Sequence, residues 1–259
     1  MTTLQRRSRN RLYFQLTFWA AFAVLAGLAF RWSEFDLVVL ATSGPRFAEV
    51  FGRLTPPDWS VTGLVLRSAM ETLMIALAGT TIAVIVSLPI GFLAATNVSP
   101  VWVATPIKAV LGAIRSIPLI VVAVIFVAAV GLGPFPGALA IAFHSIGMLG
   151  KFYAEEFESS DQGIIDAIRG TGAGWLQTIR YGLFSQSVPQ VVAFTVYRFE
   201  MNFRDATVLG LVGAGGIGYY IRAYVGSFQY ERVCVLLVII ALVVFALDQV
   251  TYWVRKYVQ

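Results

Sequence analysis

Long runs of apolar residues dominate the chain, and these runs limit what it can fold into. A helix needs about 20 mostly apolar residues to cross the hydrocarbon core of a bilayer. Such runs occur at 12–30, 69–95, 115–132, 136–158, 187–209 and 233–254. Only 13% of the residues are charged and 58% are hydrophobic, whereas soluble domains carry about 25% charged residues. The sequence therefore predicts an all-α integral membrane protein with about six transmembrane helices.

Basic residues are distributed unevenly between the segments that join the predicted spans. Lys and Arg favour cytoplasmic segments. If both termini are cytoplasmic, the inner segments hold eleven of the 19 Lys and Arg residues and the outer segments hold six, with Arg198 and Arg204 inside a span. The cluster RRSRNR at 6–11 weighs most, so we expect both termini in the cytoplasm. This asymmetry accounts for the net charge of +5 without a nucleic-acid partner.

The first apolar run has two interpretations. It follows a basic start, as in a signal peptide, but it is long for such a peptide, and Phe30-Arg31-Trp32 is a poor cleavage neighbourhood. We therefore expect an uncleaved helix. Residues 1–66 would then comprise a cytoplasmic tail, the first transmembrane helix and an outer segment. Residues 67–254 would form the transmembrane domain, and 255–259 a second cytoplasmic tail.

Two of the connections between spans have distinct characters. The inner connection at 97–114 includes most of TPIKAVLGAIR at 105–115, which predicts an interfacial helix that leads into the third span. The outer connection GLGPFPG at 131–137 predicts a tight turn, because Gly and Pro interrupt regular structure strongly.

The largest inner connection, 155–186, is rich in charged residues and glycine. Apolar residues at 164, 165 and 168, and again at 175, 179 and 183, follow a helical spacing. Glycines at 170, 172 and 174 interrupt that spacing. The segment therefore predicts a helix, a glycine turn and a second helix across the inner face. A polar loop with amphipathic flanks resting on lipid also fits the spacing.

Part of this connection resembles a motif of bacterial ABC importer permeases. That motif has Glu-Ala-Ala, a glycine six residues after the acid, and later Ile-x-Leu-Pro. Here Asp166, Ala167 and Gly172 match the acid, the first alanine and the glycine in type and spacing. Ile168 stands in place of the second alanine, and the block GLFS at 182–185 departs from Ile-x-Leu-Pro at its first and last positions.

Two longer stretches resemble the phosphonate-type subfamily of these permeases closely. They are RSIPLIVVAVIFVAAVGLGPFPGALAIAFHSIGMLGKFYAEEFE and FRDATVLGLVGAGGIGYYI. The resemblance covers roughly residues 67–254 and is specific in order and spacing. It implies a type I ABC importer fold, similar to that of the methionine importer.

The same resemblance implies how such a chain would work. It would pair, usually with a second copy of itself, in the bacterial inner membrane. Two ABC ATPase subunits, which use ATP and Mg, would dock from the cytoplasm, and an extracytoplasmic solute-binding protein would deliver phosphonate or a related oxyanion such as phosphate or phosphite. A coupling segment at about 160–186 would contact the ATPases through Asp166, Ala167, Gly170 and Gly172.

The chemistry of these residues is consistent with that role. Gly172 permits a sharp turn at low steric cost, Asp166 lies near a predicted helix start, where a carboxylate is favourable, and Ala167 leaves room for close docking. The chain lacks the phosphate-binding motif G-x-x-x-x-G-K-[ST], because its one Gly-Lys pair, Gly150-Lys151, lacks the preceding glycine. We therefore expect ATP hydrolysis in another subunit, and no cofactor, metal site or catalytic residue in this chain.

A glycine-rich stretch, VLGLVGAGGIGYYI at 208–221, fits G-x-G-x-x-G through Gly213, Gly215 and Gly218. A dinucleotide site needs a βαβ unit around this motif. The flanking segments are predicted membrane spans, so no such unit can form. Together with Gly216, these glycines predict either a gate-forming or re-entrant segment of the translocation pathway or a plain turn between helices, since small residues let membrane helices approach closely.

The fifth predicted span contains four charged residues, and ionisable groups in a span are functional candidates. Glu200 and Arg204 are four residues apart, and Arg198 and Asp205 are seven apart, two turns along nearly the same face. Each cation therefore has an acid within reach. Two interpretations remain open: the charges satisfy each other within the protein, or they form a polar wall that an anionic solute meets.

The remaining polar residues of the spans have plainer interpretations. His144, the only histidine, lacks the three or four ligands of a metal site, so we expect it to make a hydrogen bond within the helix bundle, with solute contact as the alternative. Lys151 with Glu155 and Glu156 predicts ordinary surface pairing. Glu71, near the outer end of the second span, is interpreted in the same way.

Two other classes of function compete with an importer permease. An ion-coupled secondary transporter would need no ATPase partner, so co-purification with an ATP-binding subunit would separate the two. An integral membrane enzyme acting on lipid phosphates would need clustered catalytic His, Asp or Ser residues. The single histidine and the lack of an Asp-rich motif argue against the enzyme.

Overall fold

The computed structural model describes residues 3–258, and side chains over 14–257. Within that range the chain is helical and has no strand. The helices are α1 (Thr3–Trp32), α2 (Leu37–Thr42), α3 (Gly44–Arg53), α4 (Thr62–Ala94), α5 (Val101–Ser116), α6 (Leu119–Val130), α7 (Pro134–Glu158), α8 (Gln162–Gly170), α9 (Trp175–Gln177), α10 (Ser185–Leu209), α11 (Gly216–Gly226) and α12 (Tyr230–Val258). Short 3₁₀ turns occupy Trp59–Val61 and Gly210–Val212, and a π-helix occupies Thr178–Phe184.

The chain divides into two compact units, Met1–Gly52 and Arg53–Gln259. The first unit contains α1, α2 and most of α3. Helix α2 begins at Leu37 because the Asp36 carboxylate accepts the N–H of Val38 at 2.7 Å, which satisfies one of the free donors of a helix start. The side chains of the basic cluster at 6–11 lie outside the described residues.

Four helical stretches are long and apolar enough to cross a membrane: Phe14–Trp32, Trp59–Ala94, Pro134–Glu158 and Tyr230–Tyr257. Two bent pairs raise the number to six if each pair forms one span. Helices α5 and α6 meet at 83°, and Trp175–Val212 meets α11 at 45°. The described residues therefore match the prediction of about six spans.

The third predicted span, 115–132, differs from the expectation. Helix α6 has only 12 residues, about 18 Å of helix, and it is sharply bent from α5. Pro118 explains the break, because proline lacks an N–H and disfavours helical backbone at the residue before it. Ile117 accordingly has an extended backbone with ψ of 124°. A separate helix in the 97–114 connection is confirmed, and its interfacial position remains a prediction.

The second unit is built around α4, α7 and α10. Ile75, Ile141 and Phe203, one from each helix, are buried in a shared apolar cluster. Helix α7 lies so close to α4 that a Cβ on Gly79 would be 2.6 Å from Cγ2 of Ile141. Lipid provides no hydrophobic drive for helices to associate, so membrane helices rely on close packing through small residues of this kind.

The starts of α4 and α12 are joined by an ion pair. Nε of Arg232 donates to the Asp58 carboxylate at 3.0 Å, and the Asp58 N–H donates to the Glu231 carbonyl at 3.2 Å. Hydrogen bonds from the Ser60 hydroxyl, and then from Arg232, hold the pKa of the Asp58 carboxyl below its usual range. The carboxylate therefore keeps its charge at neutral pH, and this end of the bundle stays joined.

Candidate functional site

The inner connection 155–186 contains the predicted helix, glycine turn and second helix, after the end of α7 at Glu158. Residues 160–186 are called the coupling segment, after the role that the resemblance implies. Helix α8 begins at Gln162 because the Asp161 carboxylate accepts the N–H of Gly163 at 2.8 Å. Asp166 therefore lies past the first turn of α8. The expectation that Asp166 stabilises the helix start is wrong, because Asp161 caps it instead.

The turn after α8 depends on the backbone of Gly172. Its φ is +83°, in the left-handed region, and its N–H donates to the Arg169 carbonyl at 3.0 Å. A glycine in this conformation just past a helix end is a common way to stop a helix. No atom lies within 4 Å of a Cβ built on Gly172, so the requirement is conformational. Gly170 has neither a left-handed backbone nor a close neighbour.

One face of α8 is fixed and the opposite face is exposed. Ile165 is buried in an apolar cluster with Leu183, and a Cβ on Gly182 would lie 3.3 Å from Cδ1 of Ile168. On the other face, Asp166 and Ala167 are exposed. The helix is thus held by the π-helix and presents its acidic face outward.

The same segment also carries several exposed apolar side chains. Trp175 is 56% exposed, Leu176 is 73% exposed, and Ile164 and Tyr181 are exposed as well. The Asp166 side chain is 69% exposed, and its ion pair with Arg169 is loose at 3.7 Å. Clustered exposed apolar residues mark surfaces that contact a protein or a membrane, so the segment has the composition of a docking surface.

The four charged residues of α10 form two pairs, as the spacing predicts. Arg198 Nη2 lies 3.4 Å from Asp205 Oδ2, and Arg204 Nη2 donates to Glu200 Oε1. Each pair joins a buried and a more exposed side chain, and the exposed member is the acid in the Arg198 pair and the cation in the Arg204 pair. Arg198 and Glu200 are buried, with 6% and 3% of their surface exposed, whereas the side chain of Arg204 is 46% exposed.

A buried polar network extends the Arg198 pair across three helices. Arg198 Nε donates to Ser145 Oγ at 3.0 Å, Ser145 donates to Asn202 Oδ1 at 3.1 Å, and Asn202 Nδ2 donates to Thr80 Oγ1 at 2.7 Å. The network therefore joins α4, α7 and α10. Asn202 is not among the residues predicted from the sequence, although an amide side chain in the middle of a span is a signal, because lipid cannot satisfy its hydrogen bonds.

The outcome for the other polar residues of α7 is mixed. Lys151 pairs with Glu155, one of its two predicted partners, at 3.5 Å. The buried Nδ1 of His144 has no hydrogen-bond partner among the described residues. The expected hydrogen bond of His144 is therefore not present at that atom.

The glycine-rich stretch forms a corner between two helices. Gly213, Gly215 and Gly216 have φ values of +97°, +80° and +70°, and we call residues 213–216 the glycine corner. Helices lie on both sides of it, so the βαβ unit of a dinucleotide site is absent from this stretch. Gly218 serves a different purpose, because a Cβ there would collide with the Thr207 carbonyl oxygen. The 45° bend supports a corner in a broken span.

Two side chains of α4 hold the start of α11. Glu71 Oε1 accepts the N–H of Gly216 at 3.1 Å, and Thr72 Oγ1 accepts the N–H of Ile217 at 2.9 Å. The interpretation of Glu71 as ordinary surface pairing is wrong, because its partner is the backbone of the glycine corner. The sequence signal was an acid inside an apolar run, but its partner lies 145 residues away.

A cavity of about 570 Å³ lies beside the glycine corner. Glu71, Leu132, Pro134, Tyr219 and Arg222 are among the residues that line it. The wall thus combines apolar and aromatic groups with one acid and one guanidinium. The cavity thus lies next to Gly213 and Gly215, which the sequence marks as pathway candidates.

Comparison with known proteins settles the class. Residues 87–259 match the family described as binding-protein-dependent transport system inner membrane component. The chain belongs to this family. The permease is therefore a membrane component of a binding-protein-dependent transport system, and the secondary-transporter and membrane-enzyme alternatives are set aside.

The permease is similar in sequence to permease proteins of named transport systems. It is 39% identical over 223 residues to the phosphite transport system permease protein PtxC of Stutzerimonas stutzeri, covering 86% of this chain and 81% of that protein. It is 36% identical over 212 residues to the phosphate-import permease protein PhnE of Mycolicibacterium smegmatis, covering 80% of this chain but 39% of that longer protein.

Solved structures show the same fold. A chain of the MetNI methionine ABC transporter, in an inward-facing conformation, aligns with a TM-score of 0.70 at 20% identity, covering 78% of the permease and 99% of that chain. An amino acid ABC transporter chain aligns with a TM-score of 0.64 at 16% identity, covering 76% and 95%. The predicted methionine-importer-like fold is confirmed.

Proposed function

We propose that the permease forms the translocation pathway of an ATP-driven importer for phosphite, phosphonate or phosphate. The observation that carries this proposal is the similarity to PtxC, a phosphite permease, over most of both chains. A phosphate-import permease is also similar. So is PhnE2 of Escherichia coli, which is named as a cryptic phosphonate transport system permease protein, at 40% identity over 119 residues. The three solutes share one chemistry, a small tetrahedral oxyanion.

We further propose that the power for transport comes from two separate ATPase subunits that use ATP and Mg. In support, the chain has no phosphate-binding motif of its own. The exposed acidic face of α8, with Trp175 and Leu176 beside it, is the docking surface in this proposal. Both termini and the coupling segment would then be cytoplasmic, and an extracytoplasmic binding protein would deliver the solute to the opposite side.

The pathway in this proposal lies between two permease chains. The second chain is either another copy or a related permease, since two differently named phosphite transport system permease proteins of Stutzerimonas stutzeri, HtxC and HtxE, both resemble this chain. Of the two cations on α10, Arg204 is exposed and Arg198 is buried, so Arg204 suits contact with an anion better. Arg204 would supply donors for the solute oxygens, and Arg222 would lie on the same route, in the wall of the cavity beside the glycine corner.

The experiment is uptake by the reconstituted complex of permease, ATPase and binding protein. Labelled phosphite, methylphosphonate and phosphate are offered separately, with and without ATP. We expect ATP-dependent uptake of at least one, and none in a matched complex whose ATPase cannot hydrolyse ATP. Uptake that persists with the inactive ATPase, or a failure to take up any of the three, would contradict the proposal.

The turn at Gly172 gives a graded prediction about coupling. Gly172→Val is expected to lower the initial rate of uptake about tenfold. A left-handed backbone costs a residue with a side chain about 1–2 kcal/mol, and about 1.4 kcal/mol corresponds to a factor of ten, so α8 spends less time in the docking position. The rate is measured per assembled complex in vesicles.

Gly172→Asn is the matched control, because asparagine tolerates the left-handed region better than other residues that carry a side chain. It should keep most of the uptake. Equal rates in the valine variant and the wild type would show that this turn does not set coupling. Equal losses in both variants would point to contact at Gly172 itself rather than to its backbone conformation.

A further inference from the structure

Helix α4 connects the two functional regions of the second unit. Near its end, the Phe92 ring lies 6.2 Å from the ring of Phe184, the last residue of the π-helix, and stacks on Phe157 at 4.2 Å. Just beyond α4, Val98 packs against the cluster that contains Ile165 of α8. One end of α4 is therefore packed against the coupling segment.

The other part of α4 holds the glycine corner. Residues 71 and 92 are separated by roughly 32 Å at 1.5 Å per residue of helix. At residues 71 and 72, the acid and the hydroxyl accept the first N–H groups of α11. The start of a helix has free N–H groups that need acceptors, and the corner has no side chain that could supply one. The start of α11 therefore depends on α4.

The glycines of the corner fit this arrangement. A Cβ on Gly215 would lie 2.7 Å from Glu71 Oε1, and a Cβ on Gly216 would collide with Thr72 Oγ1. The absence of side chains at these two positions is thus what lets the two acceptors reach the backbone. Steric room and hydrogen bonding point independently to the same contact.

The corner also contacts the turn before α7. The N–H of Gly133 donates to the Gly213 carbonyl at 3.0 Å, and a Cβ on Gly137 would lie 3.0 Å from Cβ of Ala214. The cavity of about 570 Å³ lies between this turn and α11. A displacement of the corner would therefore change the shape of the cavity.

We propose that α4 transmits movement of the coupling segment to the glycine corner, and so to the cavity, through the hydrogen bonds that Glu71 and Thr72 accept from α11. We call these two hydrogen bonds the latch. The inference rests on the proposed function, because it assumes that an ATPase moves the coupling segment. Glu71 and Thr72 are positioning residues, which act through the backbone of α11. When these hydrogen bonds are removed, ATP hydrolysis continues, but the glycine corner no longer moves with the coupling segment.

The test compares Glu71→Ala with Glu71→Gln in the full complex. Glutamine keeps a side-chain carbonyl that can accept the Gly216 N–H, and alanine does not. We expect Glu71→Ala to transport about tenfold less solute per ATP hydrolysed, and Glu71→Gln to stay within about twofold of the wild type. A defect that is merely structural would lower the amount of complex and leave this ratio unchanged.

A second pair of variants covers the case in which Glu71→Ala does not assemble. Thr72→Val removes the acceptor of the Ile217 N–H at nearly constant side-chain volume. It should also lower the amount of solute transported per ATP hydrolysed. Thr81→Val is its control, because the Thr81 hydroxyl bonds within α4, to the Leu77 carbonyl at 2.8 Å. A wild-type ratio in Glu71→Ala or in Thr72→Val, or an equal loss in Thr81→Val, would overturn the latch.

A readout that needs no transported solute separates this inference from the proposed function. In a permease that carries Cys234→Ser and Ser227→Cys, the introduced thiol in the cavity wall is labelled with and without ATP. The latch predicts labelling that changes with ATP in the wild type and not in Glu71→Ala. If none of the oxyanions is taken up, the proposed solute class fails while this result still decides the latch. Labelling that ignores ATP in the wild type would reject the latch.

Discussion

Gly218→Val is expected to leave no folded permease in the membrane. A Cβ at this position collides with the Thr207 carbonyl oxygen and lies 2.8 Å from Cα of Gly210. Both neighbours are backbone atoms, which cannot rotate away as the end of a side chain can. Overpacking of a tight interior costs about 1–3 kcal/mol, and more where nothing can yield. Because α10 and α11 meet at this close contact, we expect Gly218→Val to lower the free energy of unfolding by about 3 kcal/mol or more.

Gly226→Ala in the same helix is the matched control. No atom lies within 4 Å of a Cβ built on Gly226, and alanine favours helices. We expect this variant to match the wild type in yield, in monodispersity after detergent extraction and in midpoint temperature of unfolding. A Gly218→Val protein with wild-type yield and midpoint would show that α10 and α11 are not in close contact in the membrane.

The glycine-rich stretch also shows what the sequence could and could not predict. Glycines clustered between two apolar runs indicate close backbone packing or a bend, and both are present. The sequence could not reveal that Gly215 and Gly216 leave room for Glu71 and Thr72, because these partners lie about 145 residues earlier in the chain. A pairing of that kind depends on which helices pack together, and hydropathy does not carry that information.

The coupling segment and the third span show the same limit. Helix, turn and helix around Gly172 could be predicted because glycine interrupts a helical spacing locally. The burial of Ile165 beside an exposed Ile164 could not, because both are apolar neighbours and only the packing of α8 on the π-helix distinguishes them. At Pro118 the sequence does carry the signal for a helix break, because proline disfavours helical backbone at the residue before it. The long apolar run around it nevertheless predicts one continuous span.

Arg198→Met is expected to destabilise the permease by about 3 kcal/mol. Removing one partner of a buried ion pair leaves the other charge uncompensated, which costs about 3–5 kcal/mol. We place the effect at the low end of that range, because the side chain of Asp205 is 37% exposed and keeps some contact with solvent. The change also removes the Nε–H that Ser145 accepts at 3.0 Å. The free energy of unfolding is measured by denaturant titration in mixed micelles.

The double variant Arg198→Met with Asp205→Asn decides between the two interpretations of the charged face. It removes both charges of the pair, and replacing a whole buried pair is often nearly neutral, so we expect most of the stability to return. Because Arg198 is 6% exposed within a single chain, we expect uptake to return with it. Stability that recovers while uptake stays lost would instead mean that a solute meets this pair on its way through the membrane. The same result would place Arg198, together with Arg204, in the polar wall that the solute meets.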